Sequence, residues 1–178
     1  MRRRTFAILL VLFVSAAVVA AQASGDWIKY TSAEGRYSVS LPHEPKVSTQ
    51  DSTAASGEKL PQFFAVSVDG NGGFMAAYFD YRSDMTFSLD KARDGMVSNL
   101  HAAVLGEDQI SLGGSPGKQL KFLAKGENGE EFLDRARMYD VNRRVYILQC
   151  IFPKAQDGPA VVDKCEKFFG SFKIQSGP

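Results

Sequence analysis

The chain has 178 residues, with 21 Lys and Arg against 20 Asp and Glu, and 44% of it is aliphatic, aromatic or cysteine. That much apolar side chain excludes wholesale disorder. The near balance of charge leaves no general attraction for nucleic acid or anionic membranes.

The sequence begins MRRRTFAILLVLFVSAAVVAAQASGDW. Arg2, Arg3 and Arg4 form a basic start, Phe6 to Ala20 an apolar run, and Ala21-Gln22-Ala23 the small-x-small pattern that signal peptidase reads. The run is shorter than the roughly 20 residues needed to span a bilayer. Residues 1–23 are therefore expected to be a signal peptide, cleaved after Ala23. Residues 24–178 are expected to form a single exported domain, periplasmic or secreted, with no stable membrane insertion. Losing three arginines leaves that domain slightly acidic.

Downstream, "DWIKYTSAEGRYSVSLPHEP" reads as two short strands about the turn Ser32 to Gly35. Tyr37, Val39 and Leu41 alternate with serines, and Pro42 and Pro45 end the pattern. Residues 46–60 are small, polar and without period, which predicts a mobile surface loop. "PQFFAVSVD" and "GFMAAYFDY", joined through Asp69-Gly70-Asn71-Gly72, predict a hairpin.

Ser88 then caps a helix whose Leu89, Ala92, Met96, Leu100, Ala103 and Val104 recur at helical spacing, with Gly106 after the last turn. At least three strands follow: "DQISL", then "GKQLKFLAK" with "EEFLDRARMYDV", then "RRVYILQCIF". The last is apolar on both faces, as a covered central strand would be. A second helix runs from Pro159 to near Gly170, with Val161, Val162, Cys165, Phe168 and Phe169 on one side.

One stretch imitates two catalytic motifs. In "GGSPGK", Gly113, Ser115 and Gly117 have the G-x-S-x-G spacing of a hydrolase nucleophile elbow. The elbow needs the N–H of the next residue for its oxyanion hole, and Pro116 has none. Both histidines, His43 and His101, also precede Ser115, whereas the elbow's own order places the His last. A phosphate loop would need Gly at Leu112 and Ser or Thr at Gln119. The stretch is predicted to be a turn between strands.

Metal and cofactor chemistry is not signalled. Two Cys and two His scattered along the chain do not give zinc spacing. "DGNGGF" has Gly73 where a calcium loop needs its third ligand. Asp80, Asp84, Asp90 and Asp94 read as solvated carboxylates, with Asp90 favouring a helix start. No cofactor and no metal is expected.

In "AKGENGEEF", a three-residue loop with Gly129 left-handed sets Lys121 opposite Arg135 and Leu123 opposite Leu133. Leu120, Phe122, Ala124, Phe132, Ala136 and Met138 then share the other face, interrupted by Asp134. The first face carries Lys121, Lys125, Arg135 and Arg137 beside Tyr139. It is a candidate surface for an acidic partner, or a solvated face balanced by Glu127, Glu130 and Glu131. Cys150 and Cys165 form an even pair in an exported chain, so a disulfide between them is the favoured expectation over two buried thiols.

"WIKYTSAEGRYSVSLPHEP", "ISLGGSPGKQLKF", "RARMYDVNRRVYIL" and "FFGSFKI" together resemble the PsbP-like proteins. That group includes the extrinsic oxygen-evolving subunit of photosystem II and many exported bacterial proteins. The resemblance implies an α+β fold, an antiparallel β-sheet flanked by helices on both faces, in which "GGSPGK" is a turn at the start of a strand. It brings no catalytic residues to carry over, and implies docking or assembly more than catalysis. The expected function is an exported non-catalytic binding or assembly module whose partner is an envelope protein or small ligand. The alternatives are a hydrolase with a site assembled from distant residues, and a carrier of a small apolar ligand.

Overall fold

The computed structural model describes residues 27–53, 59–126 and 128–175. The expected signal peptide lies outside them. Strands β1 (Ile28–Ser32) and β2 (Tyr37–Leu41) pair about the predicted turn. They are joined by β10 (Lys173–Ile174) in a three-stranded sheet. The larger sheet has seven strands in the order β3 (Lys46–Thr53), β4 (Lys59–Asp69), β5 (Gly72–Asp80), β9 (Arg144–Pro153), β8 (Glu131–Val141), β7 (Ser115–Lys125) and β6 (Ala103–Leu112). Every neighbouring pair is antiparallel.

The described residues also form two α-helices, α1 (Leu89–Leu100) and α2 (Pro159–Ser171), and a 3-10 turn at Lys154–Gln156. Along β9, Tyr146, Leu148, Cys150 and Phe152 enter the main core with Tyr37, Val39, Phe74 and Phe168. This core fills the space between the large sheet, the small sheet and α2. The residues between them on β9 point to the other face. There Ile147 joins Leu120, Phe122, Ala136 and Met138 beneath Leu89, Ala92, Met96 and Val97 of α1. The expected antiparallel α+β architecture is present, with two helices rather than two helical layers.

The central position of β9, between β5 and β8, matches its apolar character on both faces. The hairpin register of β7 and β8 is the expected one, with Lys121 opposite Arg135 and Leu123 opposite Leu133. Gly129 takes φ 78°. In "GGSPGK" the turn is Gly113-Gly114, with φ of 57° and 84°, and Leu112 pairs Ser115 across it. Two positive φ values in a two-residue loop suit glycine at both positions.

Three expectations are corrected. Residues 46–53 form strand β3 rather than a loop, and β4 already begins at Lys59. An edge strand satisfies its backbone against one neighbour and buries little, so "KVSTQDST" shows no apolar period; its one apolar residue, Val47, is 61% exposed. Helix α1 stops at Leu100, because His101 adopts φ 46° and the Ala102 amide donates to the Val97 carbonyl at 3.0 Å. Ala103 and Val104 instead pair with Leu123 and Phe122, and Gly106 follows a bulge in β6. Strand pairing thus overrides helical spacing. On α2 the buried side is Cys165, Phe168 and Phe169, while Val162 turns outward.

Candidate functional site

The basic face lies under α2 and the turn that precedes it. Arg135 and Lys121 both reach Asp157, the latter at 3.6 Å. Burial alone would raise the Asp157 carboxyl, but the Arg135 hydrogen bond and the two positive charges hold it below its ordinary value. Arg137 donates to Gln119 at 2.8 Å and to Glu166 at 2.9 Å, and its guanidinium lies 4.6 Å over the Phe169 ring. Tyr139 is buried and stacks parallel to Phe172. Opposite it on β7, a Cβ at Gly117 would collide with the Tyr139 ring, so the ring's position requires glycine there. Lys125 is exposed.

The balancing carboxylates are Asp157 and Glu166, both remote in sequence, which spacing along the hairpin does not signal. Glu131 pairs with Lys154 and also feels the charge of Lys125, its cross-strand partner, while Glu127 lies outside the described residues. Arg137 acts as a clamp between the sheet and α2, with a cation over an aromatic ring and two side-chain hydrogen bonds. We expect Arg137→Ala to lower unfolding stability by about 1–2 kcal/mol, measured by urea denaturation. An unchanged midpoint would show that the clamp contributes nothing.

The residues that imitate catalytic motifs are dispersed. Ser115 opens β7 at the hairpin. His101 caps α1. His43 lies on the opposite side of the large sheet, where its amide donates to the Ser67 hydroxyl and its carbonyl accepts from it, at 3.1 and 2.9 Å. Lys118, the lysine of "GGSPGK", is buried against α1 and held by Asp90 at 2.8 Å and by Glu107. Arg93 closes that network onto Glu107 at 2.6 Å. Asp80 and Asp84 pair with Arg144 and Arg82, and Asp94 with Arg93. Among the described residues no three His, Cys, Asp or Glu side chains come together as metal ligands.

A cavity of about 320 Å³ opens between the small sheet and the β3–β4 edge. Its walls are Tyr30, Tyr37, Phe63 and Tyr78, with Ser32 and Glu34 at the lip. Phe63 and Tyr78 are cross-strand partners and stack at 4.7 Å with their planes 7° apart. Tyr37 meets Tyr78 edge-on. The lip is fixed from behind: Arg144 donates to the Glu34 carbonyl at 2.8 Å, and the Tyr146 hydroxyl to the Gly35 carbonyl at 2.9 Å. Burial, followed by the charge of Glu34, pushes the Tyr78 hydroxyl up to about 12. Burial is also the main cause of the rise at Tyr30, with a smaller contribution from Glu44. Sequence reading assigned these aromatics only to strands, and only the packing of the two sheets brings them together.

By sequence, no family model and no curated protein matches the chain. By structure, the cyanobacterial PsbP protein CyanoP of Synechocystis sp. PCC 6803 superposes with a TM-score of 0.59 at 13% identity, covering 89% of this chain and 98% of that one. A Pseudomonas aeruginosa protein of unknown function gives 0.43 at 11% identity, over 86% of this chain and 99% of the other. A Bacteroides thetaiotaomicron protein gives 0.47 at 15%, over 86% and 50%. The first likeness shows a PsbP-like fold.

Proposed function

We propose that the chain is an exported, non-catalytic binding module of the cell envelope, in which the PsbP-like scaffold presents a groove to a partner. The observation that carries this reading is the groove itself. It is open and lined by aromatic and hydroxyl side chains, and its lip is fixed by bonds to β9. Such a surface suits recognition more than bond cleavage. Its rim carries one carboxylate, Glu34, and neither Ser115 nor a histidine lines it. The exposed Lys125 and the partly exposed Lys121 are proposed as an auxiliary contact for acidic groups. Arg135, Arg137 and Tyr139 shape that face from beneath.

Export is supported by the leader pattern and by Cys150 and Cys165 standing at disulfide-bonding distance. No described helix is long and apolar enough to cross a membrane. The similarity to CyanoP contributes the scaffold, and no photosynthetic role is proposed. A small apolar ligand is the second reading, favoured by a cavity volume within the range of small-molecule sites.

The test is affinity capture from a cross-linked envelope extract with the exported protein as bait. One envelope protein recovered in stoichiometric amount is expected. Recovery of the bait alone, together with ester hydrolysis that Ser115→Ala abolishes, would replace this reading with the hydrolase.

A further inference from the structure

The two edges of the seven-stranded sheet differ in kind. At the β6 edge a bulge between Val104 and Gly106 breaks the register. Irregularity of this sort discourages further strands from adding. The β3 edge has no such device. From Lys46 opposite Val66 to Thr53 opposite Lys59 it pairs residue for residue with β4, without a shift. It contains no proline and only two charged residues, Lys46 and Asp51. Among the described residues its outer side pairs with nothing.

The aromatic groove lies beside this edge. Val47 and Thr49, opposite Ala65 and Phe63, stand on the groove side of β3 and contribute to its lining. A regular open edge with an adjacent side-chain pocket is the arrangement by which sheets take up extended peptides. Backbone hydrogen bonds supply affinity there, and the pocket supplies selectivity.

Charge identifies the side chain that fits. Among the described residues Glu34 is the sole charged one lining the groove. Arg144 lies 4.7 Å over the Tyr78 ring and is engaged by both Asp80 oxygens at 2.7 and 2.6 Å. Its charge is therefore already answered. Tyr30, Phe63 and Val47 offer an apolar path that ends at an exposed carboxylate. A long aliphatic stem with a cationic head matches that profile, and a guanidinium also stacks on aromatic rings.

We infer that β3 receives an extended segment of a partner protein as an eighth strand, with an arginine or lysine side chain of that segment in the groove and its charge at Glu34. This rests on the binding-module reading and names the chemistry of its partner.

The probe is a synthetic octapeptide of alternating Thr and Val with Arg at one central position, titrated into the ¹⁵N-labelled exported protein. Amide shifts are expected along residues 46–53 and around Tyr30 and Phe63. Replacing the peptide's Arg by Leu should weaken binding about fivefold, the upper range for an exposed ion pair. Glu34→Gln should bring the Arg peptide down to the Leu peptide's affinity. N-methylation of alternate peptide amides should abolish binding of both.

Equal affinity of the two peptides for the unaltered protein would overturn the inference, as would shifts confined to other surfaces. So would sedimentation showing that a second copy of the chain occupies β3. If the bait still captures an envelope protein while the peptide does not bind, the binding-module reading stands and this inference falls.

Discussion

Asp134→Asn is expected to stabilise the protein at pH 8, and to leave it unchanged or slightly less stable at pH 5. Asp134 stands opposite Phe122 on β7 and Ile151 on β9, at 2% exposure. Its Oδ2 accepts from Gln149 Nε2, and among the described residues its Oδ1 has no partner and no cation pairs with it. Burial pushes the carboxyl up to about 7, and the Gln149 hydrogen bond offsets only part of that rise.

Such a shift acts on stability in a defined direction. The folded value lies above the unfolded one near 3.8, so between about pH 4 and 7 the folded state holds a proton that the unfolded chain has released. Stability therefore falls as pH rises through that window and stays low above it. The full difference corresponds to on the order of 4 kcal/mol. Asparagine resembles the protonated acid in shape and can exchange hydrogen bonds with Gln149, but it leaves one amide hydrogen unanswered. A net gain of about 2 kcal/mol at pH 8 is expected after that cost. The gap between variant and parent should widen by about 2–3 kcal/mol from pH 5 to pH 8. Urea denaturation at several pH values reads this directly. A gap that stays constant with pH would show that Asp134 does not titrate in this range.

The acid limb of the profile has other sources. Hydrogen bonds from Lys118 and Arg93 lower the Glu107 carboxyl, and the Lys118 hydrogen bond lowers that of Asp90. These groups contribute stability above the unfolded carboxylate value, and that stability is lost as pH falls through their folded values. The acid limb ends and the Asp134 window begins near the unfolded carboxylate value, so the two limbs together predict greatest stability at about pH 4.

Asp134 also marks how far the sequence can be read. In the β7–β8 hairpin, alternation of basic and apolar residues permits one register, and Asp134 stands out as the one polar interruption of the apolar face. Alternation places it on that face, but does not show it buried with Gln149 as its hydrogen-bond partner. The register of β3 with β4 was illegible for the opposite reason. A strand that buries almost nothing carries no apolar signal, and its existence depends on β4 offering an edge. The end of α1 is not legible because Ala103 and Val104 satisfy helical spacing as well as they satisfy pairing with β7. The groove draws its lining from β1, β2, β3, β4 and β5, so no local window contains it. Glu34 reads in sequence as a turn residue; Arg144, more than a hundred residues away, is what fixes it at a lip.

The cysteine pair was legible only as far as a choice between bridge and filler, and it carries the second large effect. Cys150 lies on the face of β9 that enters the main core, and Cys165 on the buried side of α2. Both are fully buried, and their Cα atoms are 5.7 Å apart, a separation that a disulfide spans without backbone movement. The closed segment has a sequence separation of 15 and includes the whole turn from strand to helix. In the chain-entropy model such a loop contributes on the order of 3 kcal/mol by restricting the unfolded chain. Reduction of the protein is therefore expected to lower its unfolding free energy by about that amount. A Cys150→Ala, Cys165→Ala double variant should lose somewhat more, because two small cavities add to the lost constraint. The loss should fall first on α2, whose other holds on the sheet include Phe168 against Phe74, the Arg137 clamp and the Lys164–Asp69 pair. Alkylation of the unfolded, unreduced protein should add no groups, and alkylation after reduction should add two. Two groups added without reductant would show free thiols, remove the 3 kcal/mol, and take away one of the supports for export. The same result would leave the leader pattern as the only sequence feature pointing out of the cytoplasm.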